Sequence, residues 1–387
     1  MEFSFVLPVT TRKSTGSQCL SHHDPKSQIL WISDSFICYS MPKCKFYREC
    51  RANAVIQIPH TKMALCKTHF LRYIESRVKR TIEENHLIDF QNPNEKVLVA
   101  ISGGKDSQTL LTILHQVIKN RVPLEALYIE VGITPRNYSR DSAMVARKLC
   151  EKLNVPFHIL DVKETLGITI DQIHQLGQQL KSGRRKPRKS KNFRGECSYC
   201  GLIKRYYINY FAVKNGFTKV ATGHNLTDEA SQLLSNFFST DMEQMSRAGP
   251  ITLNNVDGLI PRIKPLFYIY ETELIMYAYF AQVEHLPTEC AYATDSTVIS
   301  VKKSLEKIEV FRRATMMNLV RDFQKTMKPI LAAQTPEEHQ VIKKCKQCGM
   351  TTYLDICSFC TTTNRLKEQL QKYQKEELDE LEEAEGS

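Results

Sequence analysis

No run of apolar residues reaches the ~18 positions that a membrane-spanning helix needs, and no membrane partner is expected. Residues 1–40 lack the charged start, apolar centre and small-residue cleavage site of a secretory signal. They carry no domain pattern either. They are expected to be a disordered leader or a misassigned start, with Met41 the alternative first residue. Without a secretory signal, the 13 cysteines argue against a disulfide scaffold and for metal binding in a reducing, cytoplasmic compartment. Ten of them fall into candidate metal-binding sets. Cys19, Cys38 and Cys150 stand apart, and Cys150 lies in an apolar helical pattern that places it in the core.

Internal repeats are missing too, except for a small cysteine-rich segment towards each end, at 44–69 and 345–360. Bases are absent from Glu376–Ser387, which holds seven acids, and this tail is expected to be disordered. It masks the character of the rest. The net charge of +11 leaves about +18 for residues 1–375, and Lys181–Arg194 alone contains eight bases. Such a body suits a polyanionic partner, although a solvated surface accounts for the charge equally well. Hydrophobic residues are 42% and charged residues 25% of 387, enough chain for about two or three domains with a sizeable core.

From residue 96 onward strand and helix signals alternate. Lys96–Ile101 is an almost unbroken apolar run, the pattern of a strand buried on both faces. Leu110, Leu111, Leu114, Val117 and Ile118 then recur with helical spacing. Ala126–Val131, Pro156–Asp161 and Lys219–Thr222 read as strands, and Ser139–Leu153, Thr169–Leu180, Ser198–Asn215 and Leu226–Phe238 as helices. This alternation predicts an α/β fold with a doubly wound parallel sheet. Ligands of such sheets bind beyond the carboxyl ends of the strands.

The first strand runs straight into Ser102-Gly103-Gly104-Lys105-Asp106-Ser107 and then a helix. Glycines permit a tight turn and a close backbone approach to a ligand. A helix start offers unpaired N–H groups and a positive dipole end, which suit an anion. The segment fits neither the Walker pattern nor G-x-G-x-x-G. The alternative is a plain strand–helix turn capped by serine. Three more stretches accompany it: Cys197-Ser-Tyr-Cys200-Gly-Leu-Ile-Lys204-Arg205, Ala221-Thr-Gly223-His224-Asn-Leu-Thr-Asp228-Glu-Ala230, and Ala64-Leu-Cys66-Lys-Thr-His69.

Together these resemble the TtuA-type tRNA 2-thiouridine synthetases, and more loosely the TtcA-type tRNA thiolases, of the PP-loop ATP pyrophosphatase superfamily. The resemblance covers about residues 44–360. It implies a PP-loop, Rossmann-like sheet and the use of ATP and Mg2+, with the loop holding the phosphates that leave as pyrophosphate. It implies ATP contacts at Ala100, Ser102, Gly103, Gly104, Lys105, Asp106, Ser107, Ile129, Lys204 and Gly223, those of Ala100 and Ile129 through the backbone. Catalytic roles fall to Asp106, Lys204 and Asp228. Cys197, Cys200 and Cys290 would hold a [4Fe-4S] cluster with one iron free of protein.

The implied chemistry is coherent. The uracil C2 oxygen is a poor leaving group, and adenylation makes it a good one for displacement by sulfur. An open iron position can carry the incoming hydrosulfide. Lys204 would neutralise charge developing on the phosphate. Outside the family context Lys204 is an ordinary basic residue and Asp228 a first-turn acid stabilised by the helix dipole. Cys197 and Cys200 then read as a redox pair, half a metal site or buried thiols, and Cys290 as a core thiol. His224 reads as a cap for the turn before the helix at Leu226. Arg262-Ile263-Lys264-Pro265-Leu266 resembles a family segment and is expected on the tRNA path or simply at the surface.

Cys345-x-x-Cys348 and Cys357-x-x-Cys360 have the spacing of a tetrahedral zinc site. Cys66-x-x-His69 offers a second ligand pair, with Cys50 sixteen positions upstream. The family begins this site with C-x-x-C, but position 47 is Tyr and the next cysteine upstream is Cys44. The expected set is Cys44, Cys50, Cys66 and His69 with a longer first loop. The expected layout is a leader (1–40), an N-terminal zinc finger (41–75), the PP-loop domain (76–325), a C-terminal zinc ribbon (340–365) and an acidic tail (366–387). Two Zn2+ ions are expected in all.

The function expected is ATP-dependent 2-thiolation of a tRNA uridine, at position 54 of the T-loop by resemblance. The wobble uridine at position 34, or another tRNA thiolation, is the alternative. A different adenylate-forming ligase would not need Cys197, Cys200 and Cys290. A non-enzymatic zinc-rich tRNA-binding protein would not need the loop at 102–107. The family also implies a ubiquitin-like thiocarboxylated sulfur carrier as partner, and a homodimer. Binding to tRNA should weaken steeply with salt as counterions are displaced. Neutralising Arg184, Arg185 and Lys186 together should flatten the plot of log affinity against log salt; an unchanged slope would make this run a solvated loop.

Overall fold

The computed structural model describes residues 27–32, 35–40, 42–182, 193, 195–252, 256, 258–293, 297–334 and 342–385. Cys19 and most of the basic run, including Arg184, Arg185 and Lys186, lie outside them. The chain divides into two compact units, Met1–Ile74 and Glu75–Ser387.

In the first unit, β1 (Ser27–Ile32) and β2 (Ser35–Ser40) pair antiparallel within the segment expected to be disordered. A second hairpin, β3 (Ile56–Ile58) and β4 (Met63–Leu65), buries Ile58 and Leu65. Helix α1 (Lys67–Glu84) starts here and continues into the second unit. Its buried stripe is Phe70, Ile74, Val78 and Ile82, four residues apart as helical geometry requires.

The second unit is built on β5 (Val97–Ile101), α2 (Lys105–Ile118), β6 (Leu124–Glu130), α3 (Tyr138–Leu153) and β7 (Phe157–Asp161). Helices α4 (Val162–Leu166), α5 (Ile170–Ser182) and α6 (Glu196–Lys214) lead to β8 (Lys219–Ala221). Next come α7 (Leu226–Phe238), α8 (Met242–Ser246), β9 (Arg262–Ile263) and α9 (Glu271–Ala281). The sheet is parallel throughout, in the order β7-β6-β5-β8-β9. Val97, Leu98 and Val99 of the central strand are fully buried, as the unbroken apolar run predicted. Cys150 on α3 is likewise buried.

The chain winds outward from β5 through β6 to β7, then crosses back to lay β8 on the other side of β5. Right-handed crossovers put α2 and α3 on one face and α6 on the other, over β6 and β8. The reversal between β5 and β8 opens a crevice at their carboxyl ends, where doubly wound sheets bind ligands. Edge strand β9 corrects one expectation. Ile263 and Leu266 are fully buried, because Arg262–Ile263 pairs with Val220–Ala221 instead of lying loosely at the surface.

The remaining elements are α10 (Thr297–Phe311), α11 (Thr315–Asp322), α12 (Lys328–Gln334), the short pair β10 (Lys343–Lys344) and β11 (Thr351–Thr352), and α13 (Ser358–Glu385). The acidic tail expected to be disordered continues α13 as helix to Glu385. The cysteine module before it is no appendage. Cys345, Cys357, Phe359 and Cys360 share a buried cluster with Leu98, Val220 and the α6 residues Tyr199, Ile203 and Tyr207. Phe359 stacks flat on Tyr206 of α6, ring centres 3.5 Å apart. Among the described residues no helix is long and apolar enough to cross a membrane.

Nη1 of Arg77 on α1 donates to both carboxylate oxygens of Glu273 on α9, at 2.7 and 2.8 Å, and Nη2 donates to the Tyr268 carbonyl. Glu273 accepts the Tyr270 N–H at 3.0 Å as well. Losing one partner strands a mostly buried charge, so Glu273→Ala should cost about 3–5 kcal/mol of unfolding free energy in chemical denaturation. A loss below about 1 kcal/mol would show that the pair behaves as a surface ion pair.

Candidate active site

The loop leaving β5 keeps its donors for a ligand. Helix α2 is capped by Gly104, which has no side chain to accept from the first N–H groups. The serines bind each other instead. Ser107 Oγ accepts the Ser102 N–H at 3.0 Å, lies 3.1 Å from Ser102 Oγ and donates to the Gly104 carbonyl at 3.0 Å. The expected alternative of a serine-capped turn is therefore not what forms. Gly103 has a φ of +75°, and a Cβ there would stand 2.5 Å from the Ser142 carbonyl oxygen. Ala100 and Ile129 lie at the penultimate positions of β5 and β6, beside this crevice.

The turn after β8 closes on the same spot. A Cβ on Gly223 would lie 3.0 Å from the Ser107 nitrogen, so only glycine lets this turn approach the phosphate loop so closely. Asn225, not His224, caps α7. Its side chain accepts the N–H groups of Thr227 and Asp228 at 2.9 and 3.2 Å, and Asp228 Oδ2 accepts the Asn225 N–H at 3.3 Å. His224 Nδ1 instead pairs with Thr222 Oγ1 at 3.1 Å. Asp228 thus has the cap role of a first-turn acid, and its other oxygen pairs with Lys302.

That oxygen ends a chain of alternating charges. Lys105 Nζ lies 2.8 Å from Asp106 Oδ1 and 3.1 Å from Glu271 Oε1. Lys302 Nζ lies 2.6 Å from Glu271 Oε2 and 3.1 Å from Asp228 Oδ1. Burial pushes the Asp106 carboxyl above its usual range despite Lys105, and the like charges of Glu271 and Asp228 add to the rise. Burial acts on Glu271 the same way, but Lys105 and Lys302 outweigh it and hold that carboxyl below its usual range. Sequence reasoning missed Glu271 and Lys302. Neither sits in a glycine- or cysteine-marked motif, and only the fold brings α9 and α10 to the loop.

The three remaining cysteines gather nearby. Cys197 and Cys200 lie on the first turn of α6, and Cys290 lies beyond α9. Burial raises the Cys200 thiol, Lys204 one turn along the helix lowers it, and Cys290 and Cys197 raise it again. Tyr138 at the start of α3 faces both Cys290 and Cys200; burial first, then these thiols, raise its hydroxyl. Cys197 Sγ donates to the Tyr292 carbonyl at 3.4 Å. Tyr292 in turn donates to Asp171 at 2.7 Å and stacks on His174. The Leu286 N–H donates to the Gly103 carbonyl at 2.9 Å, joining the segment that carries Cys290 to the phosphate loop.

Two other sets are tighter. Among the described residues, only Cys44, Cys50, Cys66 and His69, and Cys345, Cys348, Cys357 and Cys360, bring three or more ligand atoms within 4.8 Å of one another. A tetrahedral zinc with Zn–S bonds of ~2.3 Å separates its sulfurs by about 3.8 Å. Cys348–Cys357 and Cys345–Cys360 measure 3.8 and 3.9 Å. At the amino-terminal set, Cys44 and Cys66 approach His69 Nδ1 at 3.3 and 3.4 Å, while Tyr47 packs edge-on against the His69 ring. Burial opposes ionisation of Cys44 and Cys345, but backbone N–H groups outweigh it, bringing these thiols to about 7 and about 6. The donors of both sets fit zinc. Cys197, Cys200 and Cys290 form no such tight set.

An open helix start at the switch point of a parallel sheet, with a Gly-Gly loop and an apposed acidic turn, defines an ATP-binding protein of the PP-loop class. The model of a PP-loop domain matches residues 70–188. The tRNA-5-methyluridine(54) 2-sulfurtransferase of Pyrococcus horikoshii is 39% identical over 326 residues, 84% of this chain and 95% of that protein. Its counterpart from Thermus thermophilus is 31% identical over 325 residues, covering 84% and 93%. Cytoplasmic tRNA 2-thiolation protein 1 of Xenopus laevis is 30% identical over 335 residues, covering 85% and 90%. Among solved structures, the U34-tRNA thiolase NcsA of Methanococcus maripaludis with its [4Fe-4S] cluster superposes with a TM-score of 0.65 at 25% identity, covering 84% and 96%. The chain belongs to the TtuA-type family of tRNA 2-sulfurtransferases.

The two close backbone approaches yield a direct check. Gly103→Ala and Gly223→Ala should each weaken ATP binding at least about tenfold, because the loop must shift to admit a methyl group. Parental affinity for ATP, measured by calorimetry, would show that the loop does not hold the nucleotide.

Proposed function

We propose that this protein is an ATP-dependent tRNA sulfurtransferase that makes 2-thiouridine, at position 54 of the T-loop. The carrying observation is the hydrogen bond from Leu286 to Gly103, which ties the Cys290 segment to the phosphate loop. Adenylation and sulfur delivery then take place at one end of one sheet. Position 54 is favoured because relatives named for it are 31–39% identical, against 28–30% for the cytoplasmic 2-thiolation proteins. Structural likeness to a U34 thiolase supports position 34 as the second reading.

In this reading the uracil O2 attacks the α-phosphorus of ATP, the bond to the bridging oxygen breaks, and pyrophosphate leaves. The N–H groups at the start of α2 bind the departing phosphates, and Lys105 supplies charge to them. Lys204 has no ion-pair partner among the described residues, which leaves its ammonium for the phosphate being transferred. Asp228, fixed by its cap, and Asp106 orient the nucleotide and its cation. Sulfur then bonds to C2 and AMP departs. When bound to Cys197, Cys200 and Cys290, a [4Fe-4S] cluster supplies an iron without a protein ligand to hold the incoming sulfur. The two four-residue sets would each hold a structural Zn2+. A ubiquitin-like thiocarboxylated carrier as sulfur source, a homodimer and a cytoplasmic location complete the reading.

Mass spectrometry of tRNA from a strain lacking the gene should show 2-thiouridine missing from the T-loop. The intact gene should restore it, and Asp106→Ala or Cys290→Ala should not. Loss at position 34 instead would select the second reading, and restoration by both variants would sink the mechanism.

Metal analysis of anaerobically purified protein should find about two zinc ions per chain, and one fewer in Cys357→Ser. A single zinc in the intact protein would count first against Cys44 as a ligand.

A further inference from the structure

Helix α10 lies outside the parallel sheet, yet it sends Lys302 into ion pairs with the phosphate-loop charges. Lys302 bonds Glu271 at 2.6 Å and Asp228 at 3.1 Å, and Glu271 in turn bonds Lys105 at 3.1 Å. Lys105 reaches Asp106 at 2.8 Å. One unbroken chain of alternating charges therefore joins the phosphate loop to the turn after β8. Among the described residues, Lys302 is its only ion-paired link from α10 through α13, and the Glu306 carboxyl, one turn further along α10, lies near Glu271, Lys302 and Asp228.

The chain holds three carboxylates and two ammoniums. Removing Lys302 would leave Asp106, Glu271 and Asp228, with Glu306 beside them, around one lysine. Like charges a few ångström apart and sheltered from water repel strongly. Glu271 and Asp228 would turn apart, and Lys105, held by Glu271 and Asp106, would move with them. The helix itself does not depend on these ion pairs. Val301 and Leu305 are buried in one cluster with Leu226, Phe267 and Tyr270, and Tyr270 donates to Glu309 at 3.2 Å. Lys302 is thus presented by a scaffold that packs without it, which is how a group set for geometry differs from one set for stability.

We propose that Lys302 is a positioning residue of the adenylation step, acting through Asp228 and Glu271 to hold Lys105 and Asp106 of the phosphate loop in line with the departing pyrophosphate. This role rests on reading the site as one that adenylates tRNA, and it lies outside the segment matched by the PP-loop domain, residues 70–188. In the step it supports, the bond from uracil O2 to the α-phosphorus forms as the bond to the bridging oxygen breaks. Pyrophosphate carries away the electron pair.

Pyrophosphate release by the full chain, with ATP and an unmodified tRNA transcript, tests the role. If the parent protein releases none, the adenylation reading and this role fall together. With parental release established, Lys302→Ala should lower kcat by about tenfold to a hundredfold, the cost of small misplacements at a reacting centre. The KM for ATP should change less than kcat, measured at a temperature where the variant is still fully folded despite its unshielded like charges. Lys302→Arg should recover most of the rate by restoring the charge, and Lys302→Gln, which keeps the stem, should not. Combining Lys302→Ala with Glu271→Gln should cost no more than the worse single change, since both act on one chain. A parental kcat in Lys302→Ala, an equal loss in Lys302→Arg, or fully additive losses would overturn the role while leaving the adenylation reading intact.

Discussion

Everything at this site is arranged around a helix that begins without a cap. Had serine or aspartate stood in place of Gly104, the first N–H groups of α2 would have been satisfied from within the protein. Instead the serines of the loop bond to each other and to backbone, and the donors remain open. An open helix start is costly unless something anionic completes it. The rest of the architecture supplies that vacancy with a place. β5 delivers it to the centre of the sheet, the reversal to β8 opens a crevice, and Gly223 lets a second turn close against it.

Around that anionic seat the protein has not gathered simple positive charge. Lysines and carboxylates alternate through Asp106, Lys105, Glu271, Lys302 and Asp228. A site of bare lysines would bind triphosphate and pyrophosphate alike and release product slowly. Alternation spreads the charge, so no single lysine carries the full attraction for the product. It also gives each long, flexible side chain two partners, which fixes its direction.

Much of the sheet was legible because its central strand β5 is buried on both faces. Continuous apolar runs such as Val97–Ile101 can hardly be anything else, and β5 to β8 fell within about two residues of expectation. The edge strand β9 was not legible. Two residues long, it is defined by its partner β8 and not by any period of its own. The acidic end of α13 was misread because a run of like charge signals disorder locally, whereas this stretch prolongs a helix already anchored by Leu366 and Leu370. Motif residues of the site were visible since glycine and cysteine spacing is tied to local geometry. Glu271 and Lys302 were invisible for the opposite reason: their meaning lies in contacts across distant parts of the chain. His224 was read as a cap when the cap is its neighbour Asn225, a shift of one residue that spacing alone cannot resolve.

The flat stack of Phe359 on Tyr206 bears on the order in which this protein can mature. Helix α6 leaves the ribosome long before Phe359 is made, and its outer face has no cover until the last cysteine module has emerged and folded. Long-range contacts of this kind form late, and until they do the exposed surface invites misassembly. The helix bearing Cys197 and Cys200 therefore reaches its final support only once synthesis is nearly complete. Truncation within the final module exposes aromatic surface on the very helix that carries Cys197 and Cys200. An unfinished chain is thus left unpacked at α6, the helix on which Cys197 and Cys200 stand.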